Sequence, residues 1–369
     1  LKPSSVPRRL AASLPAIFLR PKGRLRGCGE RGPSVHVAMP GGDPGRLLQK
    51  HGYKEIKKIG EGSFGKALLV QDEAGAKLVG KFVDLSTATA KERQDAAKEG
   101  KLLNSFKHPF IVRYRDSFLE SGWLCILMDF CEGGDLSGQI EAARKKRQPI
   151  PEEQVLAWMT QAMLALKYVH EKHVLHRDLK SGNFFLTKST SGNSVLKMGD
   201  FGIAKVLSCT AACARTQIGT PYYLSPEVCQ EKPYTWPSDI WAMGCIFYEV
   251  CERKVPFDAT NISGLVQKIC RGPVPRVGSG YSDFTSNLCA EMLNRKPELR
   301  PAAGDFLGRP EIQVVVKRML EERTGADDAA SAVARGPTPA RAGAAPPPPG
   351  AGRPGSRQPS PAPGPGSRQ

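Results

Sequence analysis

The chain lacks any long apolar run. Its longest strongly apolar stretch, Ile240–Tyr248, has nine residues and is bounded by Asp239 and Glu249. A helix needs about 20 predominantly apolar residues to cross a bilayer. We therefore expect no membrane span. The length of 369 residues is enough for one large domain with terminal extensions.

The ten cysteines lack the paired spacing of zinc sites and of small disulfide scaffolds. Most of them, such as Cys125 and Cys245, lie inside apolar segments, which implies a reducing compartment. Cys209 and Cys213 are four residues apart and are the one candidate metal pair. Neither has a neighbouring His or further Cys, so two unligated thiols are the simpler interpretation.

Acidic residues are scarce in both tails, which hold much of the net charge of +17. Residues 1–38 contain eight Lys and Arg against Glu30 alone, and residues 324–369 contain five Arg against two Asp. Neither tail has the interleaved aromatic residues that stack on nucleic-acid bases. The charge therefore favours a moderately basic enzyme with basic ends over a scaffold or a protein that binds nucleic acid specifically.

Both ends are also poor in large apolar residues, and we expect them to be disordered. Residues 1–50 form a basic N-terminal extension, in which Arg8–Arg20 is weakly similar to an organelle transit peptide and Met39 is a candidate start of a shorter protein. Residues 324–369 form a tail rich in Pro, Ala, Gly and Arg. The run Pro346–Pro349 is a candidate polyproline ligand for a partner, and a passive tail is the simpler alternative.

Between the tails, short β-like segments come before a helical region. One helix, Lys91–Ser105, interrupts the β-like segments, and helical periodicity begins at Glu152. The pattern predicts an α+β fold with a small β-rich lobe at 51–131 and a larger helical lobe at 132–323. The predicted strands are Tyr53–Ile59, Ala67–Gln71, Leu78–Val83, Val112–Ser117 and Leu124–Met128.

A glycine-rich segment joins the first two predicted strands. Gly60–Gly65 reads Gly-Glu-Gly-Ser-Phe-Gly, which lets backbone N–H groups approach phosphate oxygens closely. Lys81, on the third predicted strand, is placed to bind phosphates, and Glu99 in the following helix is the best-placed acid to pair with it. Each signal alone is weak, because flexible hairpins and solvated lysines are common.

The strongest signal is the run His176–Asn183, which fits the catalytic-loop pattern of protein kinases. Asp178 is predicted to orient the substrate hydroxyl and accept its proton, and Lys180 to neutralise charge on the transferred phosphoryl group. Asn183 is predicted to hold one Mg²⁺ ion. Asp200, which opens an Asp-Phe-Gly tripeptide, is predicted to bind the metal that bridges the β- and γ-phosphates.

In this order, the motifs resemble a eukaryotic protein kinase domain from Tyr53 to about Leu320. Within that superfamily the sequence is most similar to the NIMA-related (Nek) serine/threonine kinases. The resemblance implies a bilobal eukaryotic protein kinase fold and ATP- and Mg²⁺-dependent transfer of a phosphoryl group to protein Ser/Thr hydroxyls, with Mn²⁺ as an alternative metal. The segments that carry it are Cys131–Leu136, Asn183–Leu186, Gly199–Ala204, Ile218–Glu227 and Ser238–Cys245.

The resemblance also implies a nucleotide site between the lobes. The hinge 129–131 would offer backbone hydrogen bonds to adenine behind a gatekeeper at Met128, and Phe185 would form the floor. Asp135 would bond the ribose, or alternatively cap the helix that follows. The implied nucleotide contacts are Ile59, Gly60, Glu61, Gly62, Ser63, Phe64, Gly65, Ala67, Lys81, Met128, Asp129, Cys131, Asp135 and Phe185.

Arg177 precedes Asp178, which is typical of kinases whose activation loop is ordered by a phosphate. Thr216 is the favoured acceptor because it lies four residues before Thr220, as in the Nek pattern. Ser208 and Thr210 are alternatives, and so is a loop that is never modified.

Three further residues are expected to be structural. Glu227 and Arg300 should form a buried ion pair, and Asp239 should bond the backbone of the catalytic loop. Two glycines, Gly80 before Lys81 and Gly100 after Glu99, depart from the family pattern. An interior glycine costs about 0.5–1 kcal/mol relative to alanine, so each should weaken its element and loosen the lysine–glutamate pair.

The main rival function is that of a pseudokinase, a binding module with the same fold. The sequence disfavours it because all six residues that carry the chemistry are present: Lys81, Glu99, Asp178, Lys180, Asn183 and Asp200. The resemblance implies protein substrates and a cytoplasmic location, with nuclear, centrosomal or ciliary sites as alternatives. It leaves the oligomeric state open, because no heptad segment follows the kinase-like region.

Overall fold

The computed structural model describes residues 43–62, 65–188, 192–201 and 221–334. A five-stranded antiparallel sheet, in the order β1-β2-β3-β5-β4, forms the first lobe and confirms the five predicted strands. The fourth strand begins at Tyr114 rather than at Val112, because the Val112 N–H donates instead to the Met198 carbonyl oxygen in the second lobe (2.8 Å). The strands are β1 (Lys54–Gly62), β2 (Gly65–Gln71), β3 (Lys77–Asp84), β4 (Tyr114–Glu120) and β5 (Trp123–Asp129).

The predicted helix of the first lobe is confirmed as α2 (Ala90–Asn104). It begins at a capping box, in which Thr89 Oγ1 accepts from the Glu92 N–H and the Glu92 carboxylate accepts from the Thr89 N–H (2.7 Å). The helix packs on one face of the sheet, closely at Gly100, where an added Cβ would lie 3.3 Å from Ser117 Oγ. Gly100 thus allows the helix and β4 to approach each other.

Residues 44–50 correct the expectation that the first 50 residues are disordered. They form helix α1 (Pro44–Lys50), with proline in its first turn. Leu47 and Leu48 are buried on the face of the sheet opposite α2, in a cluster with Phe82 and Trp123. Seven residues are too few to show a helical period in the sequence. The helix is stabilised mainly by this packing.

The second lobe is mainly helical, which confirms the bilobal α+β prediction. It also contains a two-stranded hairpin and 3₁₀ turns at Ser181–Asn183 and Pro221–Tyr223. No helix in the described part of the chain is both long and apolar enough to cross a membrane. The elements are α3 (Leu136–Lys146), α4 (Glu152–Glu171), β6 (Phe184–Lys188), β7 (Ser194–Met198), α5 (Pro226–Cys229), α6 (Trp236–Glu252), α7 (Ile262–Arg271), α8 (Asp283–Met292), α9 (Ala303–Leu307) and α10 (Pro310–Ala334).

The last helix corrects the predicted start of the disordered tail at residue 324. The backbone of α10 stays helical to Ala334. Residues 326–334 are rich in alanine, which has the highest intrinsic helix propensity, and a low content of large apolar residues does not prevent a helix from continuing. The predicted boundary therefore lies about three turns too early.

One apolar core runs through both lobes. Its members include Leu103 of α2, Tyr114 of β4, Phe201 after β7 and the buried faces of α4 and α6. The Phe201 ring contacts those of Phe106 (centroids 5.4 Å apart) and His176 (4.6 Å). The residues after β7 thus connect the sheet lobe with the loop that follows α4.

Candidate active site

The loop after α4 is held by one buried acid. Asp239 of α6 accepts hydrogen bonds from the backbone N–H groups of His176 (3.1 Å) and Arg177 (3.2 Å), which confirms the predicted contact. Its carboxylate also meets His170 Nε2 (2.9 Å) and the Tyr234 hydroxyl. Burial raises the pKa of Asp239, but the hydrogen bonds and the histidines more than offset this and hold the pKa below its ordinary value.

Two predicted catalytic side chains and one predicted metal ligand converge in this loop. Lys180 Nζ donates to Asp178 Oδ2 (3.0 Å), and Asn183 Nδ2 donates to the same oxygen (3.0 Å) and to the Asp178 carbonyl (2.7 Å). Asn183 Nδ2 also lies 3.4 Å from the carbonyl of Asp200. The loop therefore brings the candidate base, a cation and both candidate metal ligands together.

Lys81 joins this group from the other lobe. Its Nζ donates to Asp200 Oδ1 at 2.9 Å, so an ion pair crosses the cleft between β3 and the segment after β7. The predicted partner of Lys81 was Glu99. Glu99 lies on α2, but its side chain is outside the described part of the structure, so that pair stays a prediction.

The donor set suits a magnesium ion. The Asn183 amide nitrogen donates to Asp178, which leaves its side-chain oxygen for a metal. Asp200 Oδ1 accepts from Lys81, which leaves Oδ2 for the metal. Mg²⁺ commonly takes one or two carboxylate ligands and completes its shell with phosphate oxygens and water. The residues present therefore fit a metal that binds together with a nucleotide. The alternative pair Cys209 and Cys213 lies outside the described residues.

The first two strands form the predicted glycine-rich hairpin. Gly60 lies opposite Ala67, and Gly62 opposite Gly65. Gly65 has φ +147°, and a Cβ there would lie 1.7 Å from the Phe82 carbonyl oxygen, so only glycine fits. Ser63 and Phe64, at the tip, lie outside the described residues, whereas Ile59 and Glu61 are exposed on β1.

The hinge follows β5. Met128 is buried and pairs with Val79 of β3. Val79 and Lys81 are two residues apart on this strand, so both lie on the side of β3 that faces the cleft. The Asp129 N–H donates to the Arg113 carbonyl (2.9 Å), so this N–H is not available to the adenine ring of a nucleotide. Cys131 is buried, and burial raises the pKa of its thiol to about 11.

Phe185 of β6 lies close to Gly199, the residue before Asp200. A Cβ on Gly199 would lie 2.9 Å from Phe185 Cε2, so the absence of a side chain before Asp200 lets the ring pack there. Asp135 caps α3, accepting from the N–H of Gly138 and the hydroxyl of Ser137, both at 2.8 Å. The capping alternative is thus confirmed, and the ribose contact stays a prediction.

A polar network that the sequence did not reveal adjoins the catalytic loop. Tyr223 donates its hydroxyl proton to Glu249 Oε2 (2.7 Å), Ser181 Oγ donates to Glu249 Oε1 (3.2 Å), and the two hydroxyls are 3.1 Å apart. Burial raises the pKa of Glu249, and the two hydrogen bonds offset this only in part. No local pattern signals this network because its members are far apart in the chain.

The predicted pair of Glu227 and Arg300 is confirmed as a bidentate ion pair. Arg300 Nη1 and Nη2 donate to the two Glu227 oxygens at 2.7 and 2.8 Å, and Ser238 Oγ adds a third bond at 2.7 Å. Both charged side chains are buried. The pair fixes α5 to the turn before α9.

A separate cavity of about 920 Å³ lies beside the hinge, bordered by Phe130, Val195 and Met319 among others. None of the predicted catalytic or metal-binding residues lines it. The arrangement of ionisable groups, rather than cavity size, therefore identifies the cleft around Asp178 as the candidate active site.

Comparison with known proteins shows the family to which this domain belongs. The protein kinase domain model matches residues 53–310. The chain is 46% identical to mouse serine/threonine-protein kinase Nek1 over 277 residues and 41% identical to human Nek5 over 269 residues. It is 42% identical to mouse Nek4 over 271 residues.

These alignments cover 75%, 73% and 73% of this chain, but only 22%, 37% and 34% of the respective relatives. The chain thus spans well under half the length of these three curated proteins. The matched region contains all elements from β1 to α9, and with them the candidate active site. The chain carries a protein kinase domain and belongs to the NIMA-related (Nek) serine/threonine-protein kinase family.

Proposed function

We propose that this chain transfers the γ-phosphoryl group of ATP to serine and threonine hydroxyls of proteins in a Mg²⁺-dependent reaction. The observation that carries the proposal is the convergence of Asp178, Lys180, Asn183 and Asp200, joined across the cleft by Lys81. A carboxylate base, two cations and two oxygen ligands for a metal are the groups that phosphoryl transfer needs.

In this mechanism the bound Mg²⁺–ATP supplies the phosphoryl group and neutralises much of its charge. Asp178 orients the acceptor hydroxyl and takes up its proton. Lys180, held 3.0 Å from Asp178, donates to oxygens of the transferred group. Asn183 and Asp200 would hold the metal, and Lys81 would bind the α- and β-phosphates. The hydrogen bonds from Asn183 and Lys180 keep the Asp178 carboxylate in place before substrate binds.

The rival function, a pseudokinase, predicts a cleft that has lost part of this set. In the described residues Lys81, Asp178, Lys180, Asn183 and Asp200 are all present and are linked by a continuous series of contacts. This arrangement favours catalysis over binding alone.

A phosphoryl-transfer assay tests the proposal. Purified full-length protein is incubated with radiolabelled ATP, Mg²⁺ and casein, with Mn²⁺ in a parallel reaction. We expect label on serine or threonine, seen by phosphoamino-acid analysis, and none when a chelator removes the metal. Label on tyrosine alone would contradict the serine/threonine assignment, and absence of label with either metal would favour the pseudokinase.

We further propose that phosphorylation of Thr216 orders the activation segment through Arg177. Thr216 lies outside the described residues, so the sequence pattern alone supports this step. Phosphosite mapping should find phosphate on Thr216, and Thr216→Ala should lower kcat at least tenfold. Ser208→Ala, which removes an alternative acceptor, should leave kcat unchanged. Full activity of Thr216→Ala would contradict the step.

Partners and location are proposed from the family resemblance. The substrates are proteins with exposed serine or threonine, and the proline run 346–349 is a candidate ligand for a polyproline-binding partner. A cytoplasmic site, with nuclear, centrosomal or ciliary sites as alternatives, fits other kinases of this family. Fluorescence microscopy of the tagged full chain would distinguish these sites.

A further inference from the structure

Two half-buried cysteines face each other beside the segment that precedes α6. Cys229 ends helix α5, and Cys270 lies in the last turn of α7. Both thiols are free and partly accessible. The phosphoryl-transfer mechanism uses neither of them.

Two contacts place these thiols side by side. The Cys229 and Cys270 thiols lie close enough to interact electrostatically. Cys270 Sγ also lies 3.9 Å from the carbonyl oxygen of Pro226, which begins the same short helix that Cys229 ends. Helices α5 and α7 pack against each other along this line. A disulfide between them requires the two sulfurs to approach to about 2.05 Å.

From this juxtaposition we propose that Cys229 and Cys270 form a reversible disulfide when the protein meets a peroxide. The Cys270 sulfur attacks one peroxide oxygen and breaks the O–O bond, giving a sulfenic acid and one water. The Cys229 sulfur then displaces the sulfenic oxygen as a second water and closes the S–S bond. Two thiols are oxidised and one peroxide is reduced.

The order of the two steps follows from the surroundings of Cys229. Burial, the neighbouring Cys270 and the charge of Glu227 raise the pKa of the Cys229 thiol to about 12. Cys229 is therefore the poorer first nucleophile, which leaves Cys270 as the thiol that reacts first with the peroxide. Other described cysteines are less suited, since Cys245, Cys251 and Cys289 are at most 1% exposed and are shielded from an oxidant.

The disulfide would act on the substrate side of the cleft. Helix α5 follows the turn Pro221–Tyr223 closely in the chain, and Tyr223 bonds Ser181 of the catalytic loop. Drawing α5 toward α7 shifts this turn while Glu227 stays tied to Arg300. This consequence rests on the proposed kinase function. It predicts a higher KM for the protein acceptor, with the KM for ATP unchanged.

Disulfide mapping tests the site independently of catalysis. The reduced full chain is treated with hydrogen peroxide, free thiols are blocked with N-ethylmaleimide, and a non-reducing digest is analysed by mass spectrometry. We expect a Cys229–Cys270 peptide pair that dithiothreitol removes. Cys270→Ser and Cys229→Ser should each abolish it, whereas Cys289→Ser should retain it. Thermal melting of each variant confirms that it is folded.

The outcomes separate the two parts of the proposal. If both thiols are recovered blocked by N-ethylmaleimide, or if either is linked to another cysteine, the disulfide is excluded. If the pair forms and the acceptor KM rises at least threefold in wild type but not in Cys270→Ser, both parts are supported. A pair that forms without a change in KM supports the modification site and overturns its effect on the acceptor. A protein that forms the pair yet never transfers phosphate contradicts the kinase function and leaves the site standing.

Discussion

At the scale of single residues, the pair of Glu227 and Arg300 shows how burial and hydrogen bonding compete. Burial raises the pKa of Glu227, but the bonds from Arg300 and Ser238 outweigh it and lower the pKa to about 2. The usual value of about 4.5 applies to the unfolded chain. This carboxylate therefore contributes stability that is complete above pH 4.5 and declines as the pH falls toward 2. The shift corresponds to roughly 3 kcal/mol.

This linkage gives a prediction for Glu227→Gln. At pH 7 the variant should be less stable than wild type by about 3–5 kcal/mol, because Arg300 keeps its charge in a buried site without a counter-charge. At pH 3 the difference should shrink by roughly 2 kcal/mol, since unfolded wild type then takes up a proton that the folded protein does not. Urea unfolding of both proteins at the two pH values measures it. A difference that is constant with pH would show that Glu227 is not the titrating group.

Two glycines on adjoining strands should respond oppositely to alanine. At Gly65 the new Cβ would lie 1.7 Å from the Phe82 carbonyl, so Gly65→Ala should cost at least about 1–3 kcal/mol and weaken ATP binding. At Gly80 the nearest atoms are 3.5 Å away, an ordinary contact, so Gly80→Ala should be neutral or stabilise by about 0.4–1 kcal/mol. Urea midpoints compare the two variants. Equal losses of stability in the two variants would mean that the close contact between β2 and β3 is not the reason that position 65 requires glycine.

The residues that the sequence predicted best are those in local runs. Asp178, Lys180 and Asn183 lie within six residues, so their spacing alone indicated one site, and the structure brings them together. The Lys81–Asp200 contact and the network of Ser181, Tyr223 and Glu249 depend on how distant segments fold, which no local spacing encodes. The Asp135 cap was predicted as an alternative, since an acid before a helix can either bind a ligand or accept hydrogen bonds from the first turn of the helix.

At the scale of elements, α1 explains one departure from the family pattern. Leu48 is fully buried, and a Cβ at Gly80 would lie 3.5 Å from its side chain. Lys50 and His51 both contact the Glu120 carboxylate, and the His51 ring stacks on Phe118 (centroids 3.7 Å apart). A small residue at position 80 thus leaves room for α1 on the outer face of the sheet.

This packing predicts a large effect of Leu48→Ala. Removing the buried side chain should destabilise the protein by about 2–5 kcal/mol and expose the segment around α1 to protease. Val314→Ala on α10, where the side chain is 70% exposed, is the matched control and should change stability by less than about 0.5 kcal/mol. Limited proteolysis and urea unfolding provide the readouts. Equal stability of both variants would show that α1 does not contribute to the fold.

Strands and long helices were predicted closely. The short helix α1 and the C-terminal end of α10 were not. Alternation and periodicity indicated β1–β5, α2 and α4, because each has enough residues to show a period. Helix α1 was missed since its seven residues depend on tertiary contacts, and the end of α10 was placed too early. Composition indicated a tail there, but alanine-rich segments are also good helix formers.

At the scale of the whole molecule, the two lobes share one core and meet at the active site. Phe201 packs against Phe106 on the sheet side and His176 on the helical side, while Lys81 and Asp200 join the lobes by an ion pair. The order of motifs predicted this bilobal arrangement. The motif order could not predict the relative placement of the lobes, which depends on packing across the cleft.

We propose that Asp178 is the catalytic base of phosphoryl transfer, in a cleft that binds Mg²⁺–ATP. The most direct test compares single-turnover transfer from ATP to casein by wild type and Asp178→Asn, with Asp283→Asn on the surface of α8 as control. We expect a loss of at least about 100-fold for Asp178→Asn, with its thermal stabilisation by Mg²⁺–ATP retained, and no loss for the control. Equal transfer rates for wild type and Asp178→Asn would contradict this proposal.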